Sequence, residues 1–207
     1  MGFLEIWLLF AFLLGALPFS VWVGNAVLGK DIRQFGDANP GATNVLRAGG
    51  KASGLLALLL DMLKGAIPVG IAHFRFGCSG WALILIALMP ILGHAFSPFL
   101  SFRGGKAVAV TGGVWTGLTI WEGPTIGGLL MGLLVVWLPA DGWVVLFAQV
   151  GMLGWLLLTP SAWNGLDARP SPFEILMIGI GSLLILAWKH RVDLSKLPHR
   201  KQKREAQ

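Results

Sequence analysis

A polar segment at residues 30–47 lies between two long apolar stretches and is rich in glycine and amide residues. Gly36 and Gly41 leave the backbone free to direct successive N–H groups at an anion. Thr43 and Asn44 offer short hydrogen-bonding side chains, and Arg47 offers a planar guanidinium that suits phosphate. A solvated connector would account for the charges of this segment but not for its density of turn and amide residues. We therefore predict that residues 30–47 form an anion-binding loop.

A second polar segment, residues 93–106, ends in Arg103-Gly104-Gly105-Lys106. Two cations there flank a backbone that can approach a phosphate closely, so the segment predicts a phosphate clamp. It lacks the phosphate-loop pattern of Gly-x4-Gly-Lys-Ser/Thr. His94 stands near the end of the preceding apolar stretch, where a lone histidine is interpreted first as a helix-packing partner.

A third polar segment follows the last apolar stretch and contains His190, with Lys189 and Arg191 on either side and Asp193 beyond. His190 is a candidate polar contact for a substrate. Lysine and arginine at a helix exit are interpreted as anchors.

Asp61 and Lys64 are charged residues inside an apolar stretch, three positions apart, so they share one helix face and can pair. Charges in hydrocarbon are costly and usually face the interior of a helix bundle. A structural ion pair is at least as well supported as a catalytic role.

The composition identifies the elements that must position these segments. The chain is 55% hydrophobic and 13% charged, whereas soluble domains carry about 25% charged residues. We predict an all-α, polytopic membrane helix bundle with about seven transmembrane helices. The candidate spans are residues 3–24, 53–74, 80–100, 108–121, 125–138, 143–158 and 172–188.

Glycine spacing predicts close helix packing in the shorter spans. Gly113 and Gly117 are four residues apart, as are Gly128 and Gly132. Both pairs would let neighbouring helices approach closely.

The distribution of lysine and arginine predicts the orientation. With seven spans, the first polar segment, the second and the tail share one side, which carries thirteen of these cations against two on the other. The cation-rich side is cytoplasmic, so the N-terminus is predicted outside and the C-terminus inside. We expect one integral-membrane domain over residues 1–207, with a basic cytoplasmic tail at 189–207 that contacts membrane lipids. The net charge of +6 is explained by topology, and no nucleic-acid partner is expected.

Taken together, the polar segments resemble the motifs of the bacterial acyl-phosphate:glycerol-3-phosphate acyltransferase family. The Gly-Ala-Thr-Asn-Val-Leu-Arg heptapeptide of that family is highly specific, and the likeness extends in order and spacing over nearly the whole chain. The matching positions are 31–33, Gly36, Asn39, 41–47, 60–65, Pro68, Gly93, His94, Phe96, Phe99, Leu100, 104–106, Val108, Ala109, His190 and Arg191.

The chain also departs from the family pattern. Asp37 stands where the family has serine, Ala38 and Ala107 replace glycines, and Asp193 replaces an asparagine. An Arg-Tyr-Val-Ser-Leu motif near the sixth span, which carries a functional serine in the family, is missing. Asp37 requires a neutralising neighbour, for which Arg33, Arg47 and Lys106 are candidates.

The resemblance implies transfer of a fatty acyl group from acyl phosphate to the sn-1 hydroxyl of glycerol 3-phosphate, which gives lysophosphatidate for phospholipid synthesis. Arg47 and Lys106, with Gly104 and Gly105, would bind phosphate. Thr43 and Asn44 would orient substrate or stabilise the oxyanion. His190 would supply a polar contact, and the substrate's own phosphate would accept the proton.

The resemblance further implies a bacterial inner-membrane enzyme without a cofactor, and a partner in the soluble enzyme that forms acyl phosphate. No metal site is expected, since the histidines and the cysteine are scattered. Two alternatives remain open. One is a divergent paralogue with altered or lost acyl transfer, and the other is a small membrane transporter that uses the intramembrane charges.

Overall fold

The computed structural model of the protein describes residues 2–138, 142–164 and 169–196, and every regular element in these ranges is helical. The predicted basic tail lies outside the described residues from position 197 onward. The α-helices are α1 (Phe3–Ala16), α2 (Phe19–Leu28), α3 (Ala42–Arg47), α4 (Lys51–Gly70), α5 (Gly80–Ala95), α6 (Val108–Thr119), α7 (Glu122–Trp137), α8 (Gly142–Leu158), α9 (Pro172–Lys189) and α10 (Arg191–Leu194). A π-helix, Ile71–Arg75, extends α4, and 3₁₀ turns occur at Ile32–Gln34, Pro98–Leu100 and Ser161–Asn164.

Four of the predicted spans are helices long and apolar enough to cross a membrane: Phe3–Leu28, Lys51–Arg75, Gly80–Leu100 and Pro172–Lys189. There are also two shorter apolar helices. Gly142–Leu158 packs on Pro172–Lys189, and Glu122–Trp137 packs on Gly142–Leu158 and on α6. The predicted span at 108–121 is α6, a helix of 12 residues that is mostly buried. Large apolar side chains face outward along the bundle, as lipid contact requires.

The first span is bent, which the hydropathy pattern did not predict. α1 ends at Ala16 and α2 begins at Phe19, because Pro18 cannot donate a helical hydrogen bond. The Ala16 carbonyl accepts from Ser97 Oγ at 2.6 Å, and the Leu17 carbonyl accepts from Lys64 Nζ at 2.8 Å. Side chains from α4 and from the turn after α5 therefore satisfy the backbone at the bend.

Lys64 also forms the predicted ion pair with Asp61, at 2.7 Å, and both side chains are almost fully buried. Ser20 of α2 donates to Asp61 at 2.5 Å. The pair thus joins α4 to α1 and α2. Breaking it would leave one charge buried without its partner.

The predicted glycine contacts hold for only one of the two pairs. A side chain at Gly113 would meet the Met62 carbonyl, and one at Gly117 would meet the Ala66 carbonyl at 2.7 Å, so α6 packs closely on α4. The prediction was wrong for Gly128 and Gly132. Nothing lies within 4 Å of a side chain built at either position, because this face of α7 lines a cavity instead of a neighbouring helix.

At the start of α7, Glu122 forms an almost fully buried ion pair with Arg169, which precedes α9. Trp155 donates to the Glu122 carboxylate at 2.9 Å, and Arg169 donates to the carbonyls of Leu156 and Thr159. This cluster joins the start of α7 to the end of α8 and the chain before α9.

Candidate active site

The three polar segments meet at one end of the bundle, around a cavity of about 680 Å³. Seven of the candidate site residues line it: Asp37, Thr43, Arg47, Asp61, His94, Lys106 and His190. Asn44, Lys64, Gly104, Gly105 and Asp193 lie outside the lining. The cavity continues from this polar end between α6, α7 and α8.

Asn44 organises the first loop from a buried position. Its amide nitrogen donates to Asp37 Oδ1 at 3.0 Å and to the Asn39 carbonyl at 2.9 Å, and its amide oxygen accepts from Arg47 Nη1 at 3.1 Å. Gly36, with φ of 59°, lies against Arg47 and Asn44, so a side chain there would collide with both. Asn44 therefore holds Asp37 and Arg47 in place, while Thr43 is exposed and faces the cavity.

Lys106 lies between two carboxylates. Its Nζ is 3.0 Å from Asp37 Oδ2 and 3.0 Å from Asp193 Oδ2. Asp37 Oδ1 also lies 3.7 Å from Arg47 Nη1. Arg33, the third candidate partner of Asp37, pairs with Asp31 at 2.8 Å instead.

These contacts keep the cluster ionised. Partial burial acts to raise the pKa of Asp37, but hydrogen bonds from Lys106, Asn39 and Asn44 and the Lys106 charge outweigh it and leave the pKa below its usual value. Partial burial acts to lower the pKa of Lys106, but the two carboxylates outweigh it and raise that pKa. Asp37 and Lys106 are therefore both charged at neutral pH.

Gly104 and Gly105 lie directly on the end of α5. Gly105 donates its N–H to the His94 carbonyl at 3.1 Å, and a side chain on Gly104 would collide with that carbonyl. A side chain on Gly105 would collide with the His94 ring. The two glycines thus let the backbone approach His94 closely, and this packing fixes the start of the Lys106 side chain.

Lys189 was interpreted from the sequence as an anchor, but its ammonium points into the protein. Lys189 Nζ donates to the carbonyls of Ala95 and Gly104, each at 2.9 Å, and lies 5.5 Å from the centre of the Phe96 ring. The family motif does not extend to this position. The only sequence signal is its place directly before His190.

His190 is buried and lines the same cavity as Lys106. Its Nδ1 lies 2.9 Å from the Leu186 carbonyl oxygen, so Nδ1 carries the proton, because a carbonyl only accepts. A side chain on Gly142, the first residue of α8, would meet His190 Cβ at 2.7 Å. Near His190, the α8 residues that line the cavity are Val144 and Val145. This part of α8 therefore contributes no side-chain hydroxyl to the cavity.

The rest of the cavity is apolar. Its lining residues there are Val108, Gly112, Trp115, Gly123, Pro124, Gly127, Gly128, Met131, Gly132, Val135, Val144, Val145, Ala148 and Met152. Two polar residues that sequence reasoning missed also line it. The Gln149 amide donates to buried Ser182 at 3.0 Å, and the Thr111 hydroxyl donates to the Ala107 carbonyl at 2.8 Å. Within the described ranges, no group of three or more His, Cys, Asp or Glu residues is placed to hold a metal ion.

The arrangement can therefore hold an anion at one end and a long apolar chain at the other. The polar end, which we call the mouth, carries the cations Arg47 and Lys106 and the hydroxyl of Thr43. No described side chain at the mouth is an unpaired strong base. This suits a reaction in which phosphate groups are clamped and oriented and the protein itself forms no covalent bond.

Comparison with known proteins agrees with this geometry. Residues 5–200 match the family described as glycerol-3-phosphate acyltransferase. The chain is 34% identical to a glycerol-3-phosphate acyltransferase of Desulfovibrio desulfuricans, over 93% of this chain and 80% of that protein. It is 36% identical to glycerol-3-phosphate acyltransferase 1 of Thermotoga maritima, over 89% of this chain and 93% of that protein.

The fold matches a crystal structure of PlsY (YgiH), an integral membrane glycerol 3-phosphate acyltransferase, in its glycerol 3-phosphate form. The TM-score is 0.79 at 30% sequence identity, over 97% of this chain and 96% of that one. The lysophosphatidic acid form of the same enzyme matches with a TM-score of 0.78 at 29% identity, over 94% of this chain and 91% of that one. The fold is thus that of a multi-pass integral membrane protein, and the chain belongs to the glycerol-3-phosphate acyltransferase family.

Proposed function

We propose that this glycerol-3-phosphate acyltransferase uses acyl phosphate as its donor and acylates the sn-1 hydroxyl of glycerol 3-phosphate, giving lysophosphatidate. The observation that carries the proposal is one continuous cavity with cations at its mouth and apolar walls beyond. Both substrates carry a phosphate, which suits the cationic end of the cavity. Only the donor carries a long acyl chain, which suits the apolar end.

Arg47 and Lys106 bind the phosphates in this proposal. Both line the mouth of the cavity, and their partly exposed side chains can reach a ligand there. A guanidinium offers two parallel donors to phosphate, and an ammonium offers a point charge. Gly104 and Gly105 contribute by placing Lys106, as their contacts with His94 support.

The acyl chain of the donor occupies the apolar part of the cavity between α6, α7 and α8. Gly128 and Gly132 leave space there that larger side chains would fill. Burial of each methylene contributes about 0.8 kcal/mol, so these walls would supply much of the affinity for the donor.

The chemistry is an acyl transfer directly from one substrate to the other. The acceptor hydroxyl oxygen attacks the acyl carbon, an ester bond forms, and the bond from that carbon to the phosphate oxygen breaks. The hydroxyl proton leaves with the released inorganic phosphate. Thr43 and His190 lie at the mouth and supply polar contacts to the substrates, while Asn44 acts by holding the loop.

In this proposal the mouth of the cavity faces the cytoplasm, because the polar segments that form it carry most of the lysines and arginines of the chain. The whole chain acts as one membrane domain of the bacterial inner membrane. A soluble enzyme that forms acyl phosphate would deliver the donor from the same side.

The test uses purified protein in detergent with palmitoyl phosphate and glycerol 3-phosphate. We expect lysophosphatidate and inorganic phosphate in equal amounts, measured by mass spectrometry and a phosphate assay. Palmitoyl coenzyme A in place of palmitoyl phosphate tests the donor. Equal or better turnover with the coenzyme A ester would contradict the proposed donor, and no product with either donor would contradict the proposed reaction.

A further inference from the structure

Two of the residues that depart from the family pattern contact the same atom. Asp37, in the loop before α3, and Asp193, on α10, are 3.0 Å from the same Lys106 nitrogen. Serine and asparagine, which the resemblance described above implies for the family at these two positions, are both neutral. The structure thus links two substitutions that lie far apart in the sequence.

The cluster around Lys106 is balanced in charge. Asp37 and Asp193 contribute two negative charges, and Lys106 and Arg47 contribute two positive ones. With serine and asparagine in place of the two carboxylates, the same mouth would carry two uncompensated positive charges. A phosphate dianion entering this protein therefore meets a cluster without net charge.

We propose that Asp37 and Asp193 are specificity-determining residues that compete with the acceptor's phosphate for Lys106 and so weaken the binding of glycerol 3-phosphate. This inference rests on the proposed function, since it concerns the acceptor of that reaction. Both carboxylates pair with the Lys106 ammonium.

The competition follows from the donors on Lys106 and from distance. An ammonium has three N–H donors, and the two carboxylates occupy two of them. A phosphate on the third donor would lie within about 5 Å of both carboxylates, where repulsion in a partly solvated site weakens binding by about tenfold for each carboxylate. Asp37 and Asp193 are only partly exposed, so water screens this repulsion incompletely.

Calorimetry with purified protein tests the inference without requiring turnover. Glycerol 3-phosphate is titrated into the native protein, Asp37→Ser, Asp193→Asn and the double variant. We expect each single variant to bind about tenfold more tightly and the double variant about a hundredfold more tightly, with the affinity for glycerol unchanged. Asp31→Asn is the matched control, since Asp31 is in the same loop but pairs with Arg33.

A double variant that binds glycerol 3-phosphate no more tightly than the native protein would overturn the inference. Lysophosphatidate synthesis by the native protein is measured separately, so a failure of the proposed reaction is distinguishable from a failure of this proposal. Asp37→Asn replaces Asp37→Ser if the latter does not fold, because it keeps the size of the side chain. Unfolding of every carboxylate-free variant would show that the pairs serve stability, and the inference would be wrong.

A mutant cycle with Lys106→Met gives a second measurement. We expect this change to weaken glycerol 3-phosphate binding more in the double variant than in the native protein, because the carboxylates no longer offset the ammonium. An equal loss in both backgrounds would mean that the carboxylates do not compete for Lys106.

Discussion

Lys189 Nζ lies 2.9 Å from the carbonyl oxygen of Gly104, so the end of α9 is bonded directly to the stretch that carries Lys106. The same ammonium donates to the Ala95 carbonyl at the end of α5. Asp193, four residues further on, holds the Lys106 side chain itself. The corner between α9 and α10 thus fixes both the backbone and the ammonium of the predicted phosphate clamp.

We predict that Lys189→Met raises the KM for glycerol 3-phosphate about tenfold, because two hydrogen bonds from a charged donor are lost and the Lys106 stretch moves. Lys189→Arg should restore most of the affinity, since a guanidinium can still donate to both carbonyls. Lys196→Met, which removes an exposed cation nearby, should behave like the native protein. A fall in thermal stability with unchanged KM would show that Lys189 serves the fold and does not position Lys106.

Lys106→Ala and Arg47→Ala should each raise the KM for a phosphorylated substrate about ten- to a hundredfold, since a charged hydrogen bond is worth about 1.5–3 kcal/mol. Initial rates over a range of each substrate concentration, with the other saturating, show which phosphate each residue binds. Unchanged kinetics in both variants would remove the clamp assignment.

Gly128→Leu should shorten the acyl chains that the enzyme accepts, because the new side chain enters the cavity without meeting another helix. We expect kcat/KM for palmitoyl phosphate to fall about tenfold relative to octanoyl phosphate, since excluding several methylenes costs about 0.8 kcal/mol each. Gly154→Leu is the control, because Gly154 also has open space around it but does not line the cavity. Equal changes for both chain lengths would place the acyl chain elsewhere.

Lys64→Met should destabilise the protein by about 3–5 kcal/mol, because it leaves the Asp61 carboxylate buried without its partner. Thermal unfolding in detergent measures the loss. Asp61→Asn combined with Lys64→Met should recover part of it. If Lys64→Met alone had a small effect on stability, water would have to reach the Asp61 carboxylate through the cavity that Asp61 lines.

The proposed orientation predicts the labelling of Lys196→Cys in a Cys78→Ala background. A membrane-impermeant maleimide should fail to label intact cells and should label inverted membrane vesicles. Efficient labelling from outside would reverse the assigned topology.

The sequence predicts much of this fold because hydrophobic stretches of sufficient length have few alternatives in a membrane. The starts of α5, α6 and α9 fall at the predicted positions. The bend at Pro18 was missed because a hydropathy average over the first span is insensitive to one residue. The role of Gly128 and Gly132 was also missed, because glycine spacing is the same whether a helix or a cavity faces it.

The candidate site, like the fold, was predicted only in part from the sequence. The motifs predicted that Arg47, Lys106 and His190 belong together, and all three line one cavity. The partners of Lys106 and the inward direction of Lys189 depend on contacts between residues that are far apart in the sequence, Asp37 and Asp193 with Lys106 and Gly104 with Lys189. Those contacts follow from how the helices pack, which local sequence patterns do not specify.

The Ala16 carbonyl at the bend accepts its hydrogen bond from Ser97, a residue 81 positions later, and Lys64 reaches the adjacent carbonyl from 47 positions later. A carbonyl without a donor costs several kcal/mol in hydrocarbon. During synthesis the first span therefore enters the bilayer before its bend can be stabilised. It reaches its final shape only when the helix that carries Lys64 and the chain as far as Ser97 have been inserted beside it. Membrane insertion of this protein thus includes a rearrangement of the part that was made first.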